Sequence, residues 1–80
     1  MNIKPRFNDA KGAHPVARLR RELDMTQHEF ARALGVSLNR PSRWELGHEA
    51  MGPQTVLTLF KRYKKNLAKL GIDPLDLLKG

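Results

Sequence analysis

Residues 26–47 read TQHEFARALGVSLNRPSRWELG, and the fold turns on how this stretch is punctuated. Thr26 and Glu29 are spaced as a capping box: the hydroxyl accepts from the third helical amide while the carboxylate reaches back to the cap. A helix therefore starts at Gln27, with Phe30, Ala31 and Leu34 on its inner face. Gly35 follows where a left-handed residue ends a helix with little strain. After the turn Gly35-Val36-Ser37 a second short helix, Leu38 to Leu46, is closed by Gly47, with Ser37 or Asn39 as its cap. Pro41 constrains it, because proline inside a helix removes a hydrogen bond and clashes with the preceding turn at a cost of about 3 kcal/mol. This helix is expected to start late, with Asn39 or Arg40 as the effective cap, Pro41 in the first turn and the residues before it extended.

Upstream, His14-Pro15 places a proline where a first turn tolerates it, and Val16, Leu19 and Leu23 make an apolar stripe to about residue 23. Downstream, after the loop His48 to Gly52, Pro53 opens a longer segment in which Val56, Phe60, Tyr63, Leu67 and Leu70 share one face, so one helix is expected to run to Gly71. Lys61, Arg62, Lys64, Lys65 and Lys69 interleave with that stripe, and Asp73-Pro74 caps a last turn or two with Leu75, Leu77 and Leu78. No segment alternates as a strand would. The chain reads as an all-α, compact five-helix domain over residues 14–80. Residues 1–13 carry Lys4, Arg6 and Lys11 without hydrophobic period and read as a flexible basic arm, either unstructured or lying along a nucleic-acid backbone.

Eighty residues make one small domain, which disfavours a multidomain enzyme or a barrel enclosing an active site. Fifteen Lys and Arg against eight Asp and Glu leave a formal charge of +7, suited to a polyanionic partner, either nucleic acid or an acidic membrane face. Cysteine is absent, which excludes disulfides and thiolate zinc sites and fits a reducing compartment. His14, His28 and His48 have no local ligand spacing, so no metal is expected, nor any other cofactor or small-molecule substrate. No run approaches the roughly 18 apolar residues of a membrane span, and the amino terminus lacks a signal-peptide core. A cytoplasmic, nucleoid-associated protein is expected. No paired carboxylates in a pocket and no nucleophile beside a base suggest an enzyme.

Two short helices joined by a Gly-containing turn, with Phe30, Leu34, Val36 and Trp44 apolar and Ala31 small where the helices cross, describe a helix-turn-helix at 27–46. Through LRREL at 19–23, TQHEFARALGVS at 26–37 and SRWELG at 42–47, over roughly positions 15–63, the sequence resembles the Cro/CI-type (XRE-like) family of phage and bacterial repressors. The resemblance implies a lambda-repressor-like fold and double-stranded DNA as partner. It makes the helix at 38–46 the recognition helix, with Leu38, Asn39, Arg40 and Arg43 facing base edges. Their chemistry suits that role: Arg pairs bidentately with guanine, Asn with adenine, and Leu38 offers contact to a thymine methyl. Arg40 has a phosphate as its other possible target. Gln27 matches a glutamine that bonds a phosphate and braces the recognition helix, and Ser37 is assigned to phosphate as well. Arg20 and Glu45 match an ion pair between the first and third helices, and Trp44 an inner packing position.

Two departures stand out. Pro41 occupies a place where relatives put Ile or Val, and the loop His48-Glu49-Ala50-Met51-Gly52 lacks the basic residues that relatives aim at phosphates. Glu49 there would repel a DNA backbone, leaving Arg18, Arg21 or the arm to compensate. Three functions follow. The first is a sequence-specific transcriptional regulator, most simply a repressor binding a palindromic operator as a homodimer through an exposed part of the Leu67, Leu70, Leu75, Leu77, Leu78 set. The second is a DNA-binding antitoxin whose carboxyl-terminal helices hold a toxin. The third uses residues 53–70 as a basic amphipathic helix for an acidic membrane or protein, against which Val56, Leu57, Leu59 and Phe60 are wanted to close the core.

Overall fold

A computed structural model of the chain describes residues 13–78. They form six helices and no strand: α1 (Pro15–Glu22), α2 (Gln27–Leu34), α3 (Arg40–Glu45), α4 (Pro53–Arg62), α5 (Lys64–Leu70) and α6 (Pro74–Leu78). The proposed arm lies, apart from Ala13, outside the described residues.

Local chemistry sets most of the boundaries. His14 caps α1, its Nδ1 accepting from the Val16 N–H at 3.1 Å. The Thr26–Glu29 box is closed in both directions, with Thr26 N–H donating to the Glu29 carboxylate at 2.7 Å and Glu29 N–H to the Thr26 hydroxyl at 3.1 Å. Helices α1, α2, α3 and α5 end in the same way, in a left-handed residue followed by one whose N–H returns to a carbonyl five residues earlier: Met25 to Arg20, Val36 to Ala31, His48 to Arg43 and Ile72 to Leu67. Gly35 (φ 70°) and Gly47 (φ 75°) adopt the left-handed conformation freely, whereas at the end of α1 Asp24 (φ 55°) takes it, a place where short polar side chains are tolerated. In three of these closures the returning residue is apolar and packs inward; after α3 it is the exposed His48.

The segment 53–70 departs from the expectation of one helix. Tyr63 (φ −121°, ψ 30°) ends α4 and begins α5, its N–H donating to Leu59 O at 2.7 Å and its carbonyl accepting from the Leu67 N–H at 2.9 Å. The reason is tertiary, since α4 packs on α2 and α6 while α5 turns back onto α1. A straight helix of that length, about 27 Å, would carry its second half away from α1. The bend also shifts the buried face. Leu59 and Leu67 are fully buried, while Phe60, Tyr63 and Leu70 only flank the core, and Leu57 is exposed rather than helping to close it.

The core joins Val16 and Leu19 of α1, Phe30 of α2, Trp44 of α3, Met51 of the following loop, Val56 and Leu59 of α4, Leu67 of α5, Ile72, and Leu77 of α6. Burial of this apolar surface, at about 25 cal/mol per Å², is the main force holding the helices together.

Candidate nucleic-acid interface

Helix α3 is only six residues long, and a helix of that length is marginal by itself. It is held from three directions. Trp44 is fully buried against the core, its Nε1 without a hydrogen-bond partner among the described residues. Pro41, second in the helix, is fully buried too and supplies the apolar contact an Ile or Val would make there, at a position where its missing N–H removes no helical bond. From the end of the helix Glu45 reaches α1: Arg20 Nε donates to Oε2 at 2.7 Å and Nη2 to Oε1 at 3.0 Å.

That pair is a bidentate fork with side-chain exposures of only 7% and 10%. Further bonds support it. Arg20 Nη1 donates to the Met25 carbonyl at 3.0 Å, and Gln27 Nε2 donates to Glu45 Oε1 at 3.2 Å. Gln27, expected to bond a phosphate and to brace the recognition helix, stands half-buried at the start of α2 with its amide bonded to Glu45 of α3. The orientation of α3 relative to α1 and α2 is set by one carboxylate with three donors on it. His14 lies in the same neighbourhood: burial holds its imidazole below the usual histidine pKa, and the Glu45 charge pulls the other way.

The opposite face of α3 is open. Arg40 and Arg43 are exposed there, as are Ser37, Leu38 and Asn39 just before the helix. Ser37 and the two residues after it do not form the extended approach expected before the proline. Asn39 is already in the right-handed region (φ −91°, ψ −5°), and the Ser37 carbonyl accepts from the Arg40 N–H at 3.0 Å, so Leu38 and Asn39 form a tight turn that feeds the helix. Asn39 is the cap by position, but its side chain makes no capping bond. Arg18 and Arg21 are half-buried on α1.

One contact lay outside the sequence reading. Arg40 Nη1 donates to Glu49 Oε2 at 3.1 Å, and Arg43 Nε lies 4.0 Å from Glu49 Oε1. The acidic residue noted above as a repulsive charge stands between the two arginines of the exposed face. Its sequence signal is weak, because the separations of nine and six residues become neighbours only through the reversal at Gly47.

Elsewhere Lys69 pairs with Glu22 at 3.0 Å, and the Arg62 guanidinium donates to the Ala33 carbonyl at the end of α2. Lys61, Lys64 and Lys65 are exposed. Of the leucines considered for a dimer surface, Leu67 and Leu77 are fully buried and excluded, Leu70 is half-buried, and Leu75 and Leu78 are exposed. Among the described residues no helix is long and apolar enough to cross a membrane.

A comparison with protein-family models matches residues 16–70, about two-thirds of the chain, to a family described as helix-turn-helix. Neither a curated protein nor a solved structure matches the sequence. The match spans α1 to α5 and so contains both the buried Arg20–Glu45 brace and the exposed face of α3. On that match the chain belongs to the Cro/CI-type, XRE-like helix-turn-helix family and is a DNA-binding transcriptional regulator.

Proposed function

We propose that the protein is a sequence-specific repressor that binds a palindromic operator as a homodimer, reading bases with Leu38, Asn39, Arg40 and Arg43. The observation that carries this reading is the division of α3 into a face fixed in the core by Trp44, Pro41 and Glu45 and a face that offers Arg40 and Arg43 to solvent, beside the exposed Leu38 and Asn39 of the turn that leads into it. A helix of that kind enters a major groove, about 12 Å wide, as a rigid body, so its side chains meet base edges in one register. Gln27, Ser37, Arg18 and Arg21 are assigned to flanking phosphates, which position the domain without reading sequence. Leu75 and Leu78 supply the exposed apolar part of the surface between copies.

Selection of bound sites from random duplex DNA tests this directly. The expected product is a two-fold symmetric consensus with half-sites about 10 base pairs apart, or a multiple of that. An asymmetric single half-site would remove the homodimer, and no enrichment at all would remove sequence-specific binding.

A further inference from the structure

We propose that Glu49 is a specificity-determining positioning residue: a fixed carboxylate that orients Arg40 and Arg43 toward guanine and keeps them off the phosphate backbone. The inference rests on the assignment of these arginines to base edges and deepens it.

Glu49 is placed by its loop. On one side Gly47 and His48 close α3, donating to the Trp44 carbonyl at 3.1 Å and the Arg43 carbonyl at 3.0 Å; on the other, Met51 is buried in the core. The chain at Glu49 is thus fixed on both sides, and its carboxylate works from a set origin. The arginines are longer and more exposed, 48% and 55% against 31% for the glutamate. Each carboxylate oxygen faces a different guanidinium, Oε2 with Arg40 Nη1 and Oε1 with Arg43 Nε. A guanidinium has five N–H donors in a rigid plane. Attraction on the Nε side of Arg43, across 4.0 Å, leaves its two terminal nitrogens to pair with guanine O6 and N7, the bidentate contact that discriminates between bases.

The same charge works against indiscriminate binding. Two unaccompanied arginines would settle on any phosphate, since that attraction is independent of sequence. With Glu49 between them the three groups carry a net +1, and a phosphate approaching the arginines also approaches the carboxylate. Guanine has no such charge, so the penalty falls on the backbone alone.

The test uses the full-length chain, the preferred site selected with the wild type, its single-base variants and a scrambled duplex, in titrations at several salt concentrations. Glu49→Gln keeps shape and removes charge; Glu49→Asp keeps charge but is too short to span both arginines. For Glu49→Gln the expected result is tighter binding to the scrambled duplex, a salt slope there steeper by about one unit, and a preferred-to-scrambled ratio lower by about tenfold, with the loss at guanine positions. Glu49→Asp is expected to lower the ratio at the same positions without steepening the slope. Equal tightening of both duplexes by Glu49→Gln, or an Asp variant that discriminates like the wild type, would overturn the proposal. A wild type that enriches no site would instead overturn the underlying assignment, before any variant is made.

Discussion

Two glutamates pair with arginines on opposite sides of α3, Glu45 from the helix itself and Glu49 from the loop that follows it, and the pairings have opposite character. Inward, Glu45 takes a two-pronged bond from Arg20 at 2.7 and 3.0 Å, is also bonded by Gln27, and is almost wholly removed from water. Outward, Glu49 holds Arg40 at 3.1 Å and stands 4.0 Å from Arg43, all three remaining open to solvent. The residue types are the same; the dielectric around them is not. A buried pair is costly to split, because the orphaned charge has no water to turn to. An exposed pair exchanges partners at little cost, being worth about 0–1 kcal/mol. The inner cluster is therefore suited to fixing the recognition helix, and the outer one to biasing where two solvent-exposed arginines point.

The sharpest way to break this contrast is to remove each glutamate in turn. Glu45→Ala leaves the Arg20 charge buried without its carboxylate, at an expected cost of about 3–5 kcal/mol, comparable to the whole stability of a domain this small. Arg20→Ala should cost a similar amount, and the double variant less than the sum of the two. Glu49→Ala should cost under about 1 kcal/mol. Urea titrations of the four proteins check this, and equal losses for the two glutamates would dissolve the distinction.

A second, smaller effect concerns DNA. Arg43→Ala should weaken the preferred site by about 1–3 kcal/mol and relax discrimination at one base pair. Gln27→Ala should weaken preferred and scrambled sites by similar factors with the salt slope nearly unchanged, since Gln27 is uncharged. It should also cost about 1 kcal/mol of stability through the lost bond to Glu45. Binding titrations beside thermal melts separate the two. If Arg43→Ala weakened every sequence equally, the outer cluster would serve the backbone and not the bases.

The smallest effect lies at the edge of the inner cluster. The His14 pKa is lowered by burial, with Glu45 opposing, and its Nδ1 accepts the Val16 N–H only when unprotonated. The unfolded state, titrating near 6.5, then binds the proton more readily than the folded state. Stability should be complete above that value and decline as pH falls from it through the folded pKa. The loss is bounded by the worth of a helix cap, about 1 kcal/mol, or about 4–8 °C in melting temperature. Melts between pH 7.5 and 5 should show this slope in the wild type, and a shallower one in His14→Asn, which keeps a capping oxygen. Equal slopes would mean that His14 titrates alike in both states.

Where residues act on near neighbours in the chain, the sequence reading was informative. The Thr26–Glu29 box and the glycine after Leu34 mark both ends of α2, and the stripes of α1 and α2 point to Val16, Leu19, Phe30 and Ala31, all buried. The break at Tyr63 has no such signal, because no glycine or proline marks it and its cause is the separate packing of α4 on α2 and α5 on α1. The turn at Leu38 and Asn39, closed by the Arg40 N–H on the Ser37 carbonyl, likewise has no glycine to mark it. At the candidate interface, the residue types of the exposed face were legible as chemistry suited to base edges. The partnership of Glu49 with two arginines was not, since it needs the chain reversal after α3 and the anchoring of Met51.

Trp44 is the protein's sole tryptophan, and it sits on the short helix proposed to read DNA. An indole buried to 1% exposure in an apolar setting emits at shorter wavelength than one in water. The chain therefore carries a native optical reporter at the one joint where the reading helix meets its scaffold. A red shift would register detachment of that helix even where circular dichroism, dominated by the other five, scarcely changed.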